Sequence, residues 1–111
     1  MEIRRLRQIL KTFSDDTRLR IMVLLRAGRI NVNDLCRVLG KSQSNISKHL
    51  TRLRLTGIVN DKREGLNVFY FLRRPTDSGE VRLIESITKA ASFSKAVKKD
   101  SDALQKLRKE S

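Results

Sequence analysis

Between residues 33 and 57 the chain carries two short amphipathic segments with only a few residues between them, and this spacing constrains the fold more than any other feature. Asn33 or Asp34 can cap a brief helix bearing Leu35, Val38 and Leu39, which Gly40 stops. Ser42 is a good N-cap for the next, in which Ile46, Leu50 and Leu53 fall on one face until Gly57 ends it. Two short helices separated by a tight turn result.

The surrounding sequence supplies what such a pair needs to pack against. Ile3, Leu6, Leu10 and Phe13 recur at helical spacing with Arg4, Arg5, Arg7 and Lys11 on the remainder, so a first amphipathic helix is expected there. Ser14, Asp15 and Asp16 offer capping oxygens to a second helix, and the apolar run Leu19 to Leu25 makes that helix central and buried. Ile30 to Val32 suits a short strand. From Ile58 the pattern turns to IVNDKR, a polar turn at Glu64 and Gly65, then NVFYFL, which predicts a β-hairpin. After Pro75 one last long helix is expected, marked by Leu83, Ile84, Ile87, Ala91 and Val97. At 111 residues the chain fits one α+β, mostly helical domain over 1–98, followed by a polar tail or helix extension over 99–111.

Lys and Arg number 25 against 12 acids, a formal net charge of +13, so the chain concentrates polyanions around itself. Double-stranded DNA is the leading partner, with an anionic membrane a weaker one. No stretch approaches the ~20 apolar residues of a membrane span, and the charged start MEIRRLRQILK lacks the apolar core of a signal, so a cytoplasmic location and no membrane contact are expected. One cysteine, Cys36, can form neither an internal disulfide nor a thiolate cluster alone.

The second of the paired helices opposes its apolar face with Ser44, Lys48 and Thr51, flanked by Gln43, Asn45, Ser47 and Arg52. Short hydrogen-bonding groups beside cations suit a major groove. Gln43 and Asn45 are candidates for base edges, since amides pair bidentately with adenine, and Ser44 and Lys48 can read or position. Ser47, Thr51 and Arg52 suit phosphates, and the helix dipole favours a phosphate near Ser42. His49, the sole histidine, belongs at the boundary of the apolar face or on a phosphate. Lys62 and Arg63, beside the hairpin turn, can reach a minor groove or the backbone. Each of these sets has a blander meaning as a solvated face or as edge-strand charge. A Gly-rich phosphate loop and a nucleophile with a base are both missing from the sequence, which argues against an enzyme; an architectural DNA binder remains the rival.

The strings FSDDTRLRIMVLLRAG, VNDLCRVLGKSQSNISKHLTRLRLTGIV and DKREGLNVFYFL together resemble the ArsR/SmtB family. Thr17, Arg18, Leu19, Ile21, Ser42, Gln43, Ser44, Ser47, His49, Leu50, Leu53, Gly57, Val59, Arg63, Gly65 and Tyr70 match its pattern in order and spacing, over roughly residues 5 to 72. The resemblance implies a winged helix-turn-helix homodimer that represses transcription from an inverted-repeat operator. It also implies a dimer interface on the first and last helices, here Ile3, Leu6, Leu10, Phe13, Ile84, Ile87 and Ala91. Asp16 stands where the family usually has proline, a change the first turn of a helix tolerates. Metal-sensing members carry a Cys-x-Cys pair where this chain has Asn31 and Asn33, or Asp and His ligands on the last helix, where 80–98 has neither. No metal and no cofactor are therefore expected. Cys36 is either a small buried hydrophobe or a thiol sensor; the latter requires an exposed, low-pKa thiolate, which neighbouring Arg37 can favour.

Overall fold

Helix boundaries are set by side chains that accept the first free backbone N–H groups. Asp15, Asn31, Ser42, Asp77 and Ser94 each receive the amide three residues on, at 2.8–3.3 Å. The computed structural model describes residues 1–110. These form α1 (Ile3–Phe13), α2 (Asp16–Leu25), β1 (Ile30–Asn31), α3 (Val32–Leu39), α4 (Gln43–Leu55), β2 (Val59–Glu64), β3 (Asn67–Leu72), α5 (Ser78–Ala91) and α6 (Lys95–Lys109). Asn31, not Asn33 or Asp34, caps α3, so that helix starts two residues earlier than expected. Gly40 then ends it in the left-handed conformation, at φ 65°, which a residue without Cβ adopts freely.

α2 lies at the centre, with Ile21 to Leu25 all buried. α1 turns Ile9 and Phe13 into the core and leaves Ile3 and Leu10 outside, 72% and 49% exposed. Phe13 therefore packs within the subunit rather than continuing the outward stripe of Ile3, Leu6 and Leu10. Its neighbour Thr12 lies 3.2 Å from Thr56, hydroxyl to hydroxyl, joining α1 to the end of α4.

The sheet is antiparallel in the order β1-β3-β2, with Ile30 opposite Tyr70 and the hairpin in register from Val59–Leu72 to Glu64–Asn67. The hairpin turn is Gly65-Leu66, one residue later than the sequence suggested. Gly65 has φ 62° and Leu66 does not have positive φ, the pattern in which glycine takes the first central position.

The single last helix expected from the sequence is two. Ser92 closes α5, Ser94 opens α6, and α6 folds back across α2 and α3. Val97 and Leu104 are buried, and Asp100 accepts two hydrogen bonds from Arg20, at 2.8 and 2.9 Å. The division expected after residue 98 thus falls inside α6, which continues to Lys109. α3, the turn at 40–42, α4 and the β2–β3 hairpin together form a winged helix-turn-helix.

Candidate nucleic-acid interface

α4 is fixed from both ends and along one face. Ile46, Leu50 and Leu53 are fully buried, which sets the helix's rotation. Gln43, Ser44, Asn45, Lys48, Thr51 and Arg52 consequently face solvent, Ser42 is exposed at the N-terminus, and Ser47 is half-buried. The predicted reader side chains are brought onto one surface, where free N–H groups of the first turn favour an anion.

The far end is held by two guanidinium groups from distant parts of the chain. Arg5 donates to the Thr56 carbonyl and grips Glu80 of α5 at 2.7 and 3.2 Å, while Arg73 donates to the Gly57 carbonyl at 3.2 Å. The Thr56 carbonyl is among those a helix end leaves unpaired. Gly57, at φ 76°, lets the chain turn from α4 into β2 beneath both guanidinium groups. The spacing of Arg5 from Thr56 in the chain gave no local signal for this contact.

His49 takes the boundary position. Arg18 donates to its Nδ1 at 3.2 Å and to the Thr12 carbonyl at 2.7 Å, so Nδ1 acts as acceptor and the ring proton sits on Nε2. Burial, helped by Arg18, Lys48 and Lys41 and opposed by Asp15, holds the His49 pKa below its ordinary value. Asp15 lies 3.6 Å from Nδ1. Burial acts to raise its pKa, but the Arg18 backbone N–H and the charges of His49 and Arg18 outweigh it and keep the carboxyl below its usual range.

On the hairpin, Lys62 and Arg63 are both exposed, but as successive strand residues they point to opposite sides. Lys62 shares its face with its register partner Phe69, over whose ring Arg29 lies at 4.2 Å while bonding Glu64 at 2.7 Å. Arg63 shares the other face with Val68. At the tip, Leu66 is 98% exposed, an apolar residue in what the sequence presented as a polar turn.

Cys36 is half-buried against the core, and burial pushes its thiol pKa up. A thiol sensor requires a shift in the other direction. At the Cys-x-Cys positions suggested by the resemblance, Asn31 spends its side-chain oxygen capping α3. Among the described residues no three His, Cys, Asp or Glu side chains come together. Of the anticipated interface residues, Ile3 and Leu10 are open, Leu6 and Ala91 half-buried, and Ile84 and Ile87 lean on the subunit's own core. Among the described residues no helix is long and apolar enough to cross a membrane.

Residues 15–61, which contain α2, α3 and α4, match the family described as bacterial regulatory protein, arsR family. The arsenical resistance operon repressor of Escherichia coli is 38% identical over 79 residues, covering 70% of this chain and 68% of that protein. The transcriptional activator HlyU of Vibrio cholerae is 33% identical over 79 residues, 71% of this chain and 73% of that one. A solved structure of V. cholerae HlyU superposes with a TM-score of 0.69 at 32% identity, over 81% of this chain and 97% of that chain.

Proposed function

The chain belongs to the ArsR family of bacterial regulatory proteins, DNA-binding regulators rather than enzymes, and on that premise we propose that it represses transcription as a homodimer bound to an inverted-repeat operator. The observation that carries this reading is the solvent-facing surface of α4, where Gln43, Asn45, Ser44 and Lys48 stand on a helix whose other face is fully buried. In the major groove Gln43 and Asn45 read base edges; Ser42, Ser47, Thr51 and Arg52 take phosphates. Arg63 and Lys62 follow the backbone on either side of the hairpin. His49 holds the helix to α2 through Arg18 and acts as a positioning residue.

Ile3, Leu6 and Leu10 on α1, with Ile87 and Ala91 on α5, support the two-fold seam that places two α4 helices in successive major grooves. The donor set around Asn31, Cys36 and α5 supports action without a bound metal. Repression is favoured over activation by the greater identity to the E. coli repressor than to the V. cholerae activator.

Selection of bound sequences from a random duplex library, at physiological salt and without added metal, tests this. An inverted repeat is expected. Gln43→Ala or Asn45→Ala should then cost about 1–3 kcal/mol on that repeat and little on random DNA, whereas Lys48→Ala should weaken both alike. Steep salt dependence with no preferred sequence would instead identify an architectural binder.

A further inference from the structure

Between the C-terminal end of α2, the chain leaving β3 and the first turns of α5 the fold leaves a cleft of about 590 Å³. Small-ligand sites span roughly 300–1,000 Å³, so the volume suits a ligand rather than a stray water. Met22 and Leu25 of α2, Leu72 at the end of β3 and Val81 and Ile84 of α5 give it apolar walls. Arg26, Arg29, Arg73 and Arg74 stand around it, against the single carboxylate of Glu85. Arg26 and Arg74 are exposed and form no ion pair among the described residues.

An apolar interior under a cationic rim is complementary to one class of molecule. We propose that this cleft binds an amphipathic organic anion, a carboxylate carried on an aliphatic or small aromatic body, and that this ligand is the regulator's effector. The second half of the proposal rests on the operator-binding reading given above.

The coupling follows from what the rim arginines already hold. Arg29 stands in the cleft and also clamps the hairpin through Glu64 and the Phe69 ring. Arg73 stands in the cleft and also closes the C-terminal end of α4 through the Gly57 carbonyl. A carboxylate drawing on these guanidinium groups competes with both contacts, so the ligand loosens the hairpin and the reader helix together. Linkage requires the converse: where the operator-bound form keeps both contacts, DNA lowers affinity for the anion.

The probe is 8-anilinonaphthalene-1-sulfonate, an aromatic anion that fluoresces on apolar contact, displaced by decanoate or by decan-1-ol below their aggregation limits. One saturable probe site per chain is expected, emptied by decanoate and not by the alcohol. The double variant Arg26→Ser/Arg74→Ser, altered only at exposed positions, should bind at least tenfold more weakly, and Val81→Phe should fill the cleft and do the same. Decanoate should weaken operator binding at least fivefold in the unaltered protein and not in the double variant. Three results would overturn the proposal: probe binding indifferent to the double arginine variant, displacement by the alcohol equal to that by decanoate, or a cleft that closes with rising protein concentration because a second copy fills it. Operator preference retained without any response to decanoate sinks the effector site and spares the regulator; failure to prefer any sequence in ligand-free protein sinks the regulator reading itself.

Discussion

The two terminal helices, α1 and α6, both lie against α2, yet they dispose of their apolar residues in opposite ways. α6 puts Val97 and Leu104 into the subunit and locks Asp100 onto Arg20, while its exposed positions are largely charged or polar. α1 buries Ile9 and Phe13 but holds Ile3 and Leu10 out in water, 72% and 49% exposed. An amphipathic helix with a satisfied face needs nothing more; one with apolar residues on two faces has a second surface to cover. Under the proposed homodimer, the difference gives α6 to stability and α1 to assembly.

Leu104→Ala should break the α6 side most strongly, costing about 3 kcal/mol of unfolding free energy through the cavity it leaves, with little change in dimer affinity at equal folded fraction. Denaturant titration with sedimentation alongside checks it, and a dimer-selective effect would reverse the assignment. Asp100→Ala should cost about 2 kcal/mol, because Arg20 then loses two charge-assisted bonds. Leu10→Ala should show the mirror image, weakening the dimer about fivefold, or ~1 kcal/mol, with the subunit's own stability nearly unchanged.

The smallest effect touches neither helix and serves as the control for both. His49 has a folded pKa below its ordinary value, so the unfolded chain takes up the proton first. Stability is therefore full above the unfolded value of about 6.5 and falls as pH drops below it, by less than about 1 kcal/mol. His49→Gln should flatten unfolding free energy between about pH 7.5 and 5.5. Asp15, with its lowered pKa, adds its own loss only in the more acidic carboxylate range. A dimer affinity that changed with His49→Gln would place this residue nearer the seam than the structure does.

What the sequence disclosed follows the range of the forces involved. Ser42 as cap, Gly40 as stop and the Ile46-Leu50-Leu53 face are local chemistry, and the structure reproduces them. The break between α5 and α6 was hidden because Ser92-Phe93-Ser94 contains neither glycine nor proline, and helical periodicity runs on across it. What turns the chain there is the distant reward of burying Leu104 and tying Asp100 to Arg20 of α2. For the same reason Ile9, absent from the stripe traced on α1, proves fully buried, since which side of that helix faces inward is decided by α2. At the candidate interface the exposed residues of α4 were legible because a helix face is a periodic object. The guanidinium ties of Arg5, Arg18 and Arg73 were not, because each joins segments that only the finished fold brings together.

One feature of α1 bears on how subunits find each other. Every other helix starts from a side-chain cap, worth typically about 1 kcal/mol, whereas Glu2 provides none. The exposed pair between the Met1 ammonium group and Asp77, at 2.9 Å, is a weak substitute in water. The opening turn of α1, which carries Ile3, therefore lacks the side-chain cap that steadies the start of every other helix. In the proposed dimer, subunit exchange is then paced by fraying of a single helical turn, and amide exchange in that turn slows as the partner docks.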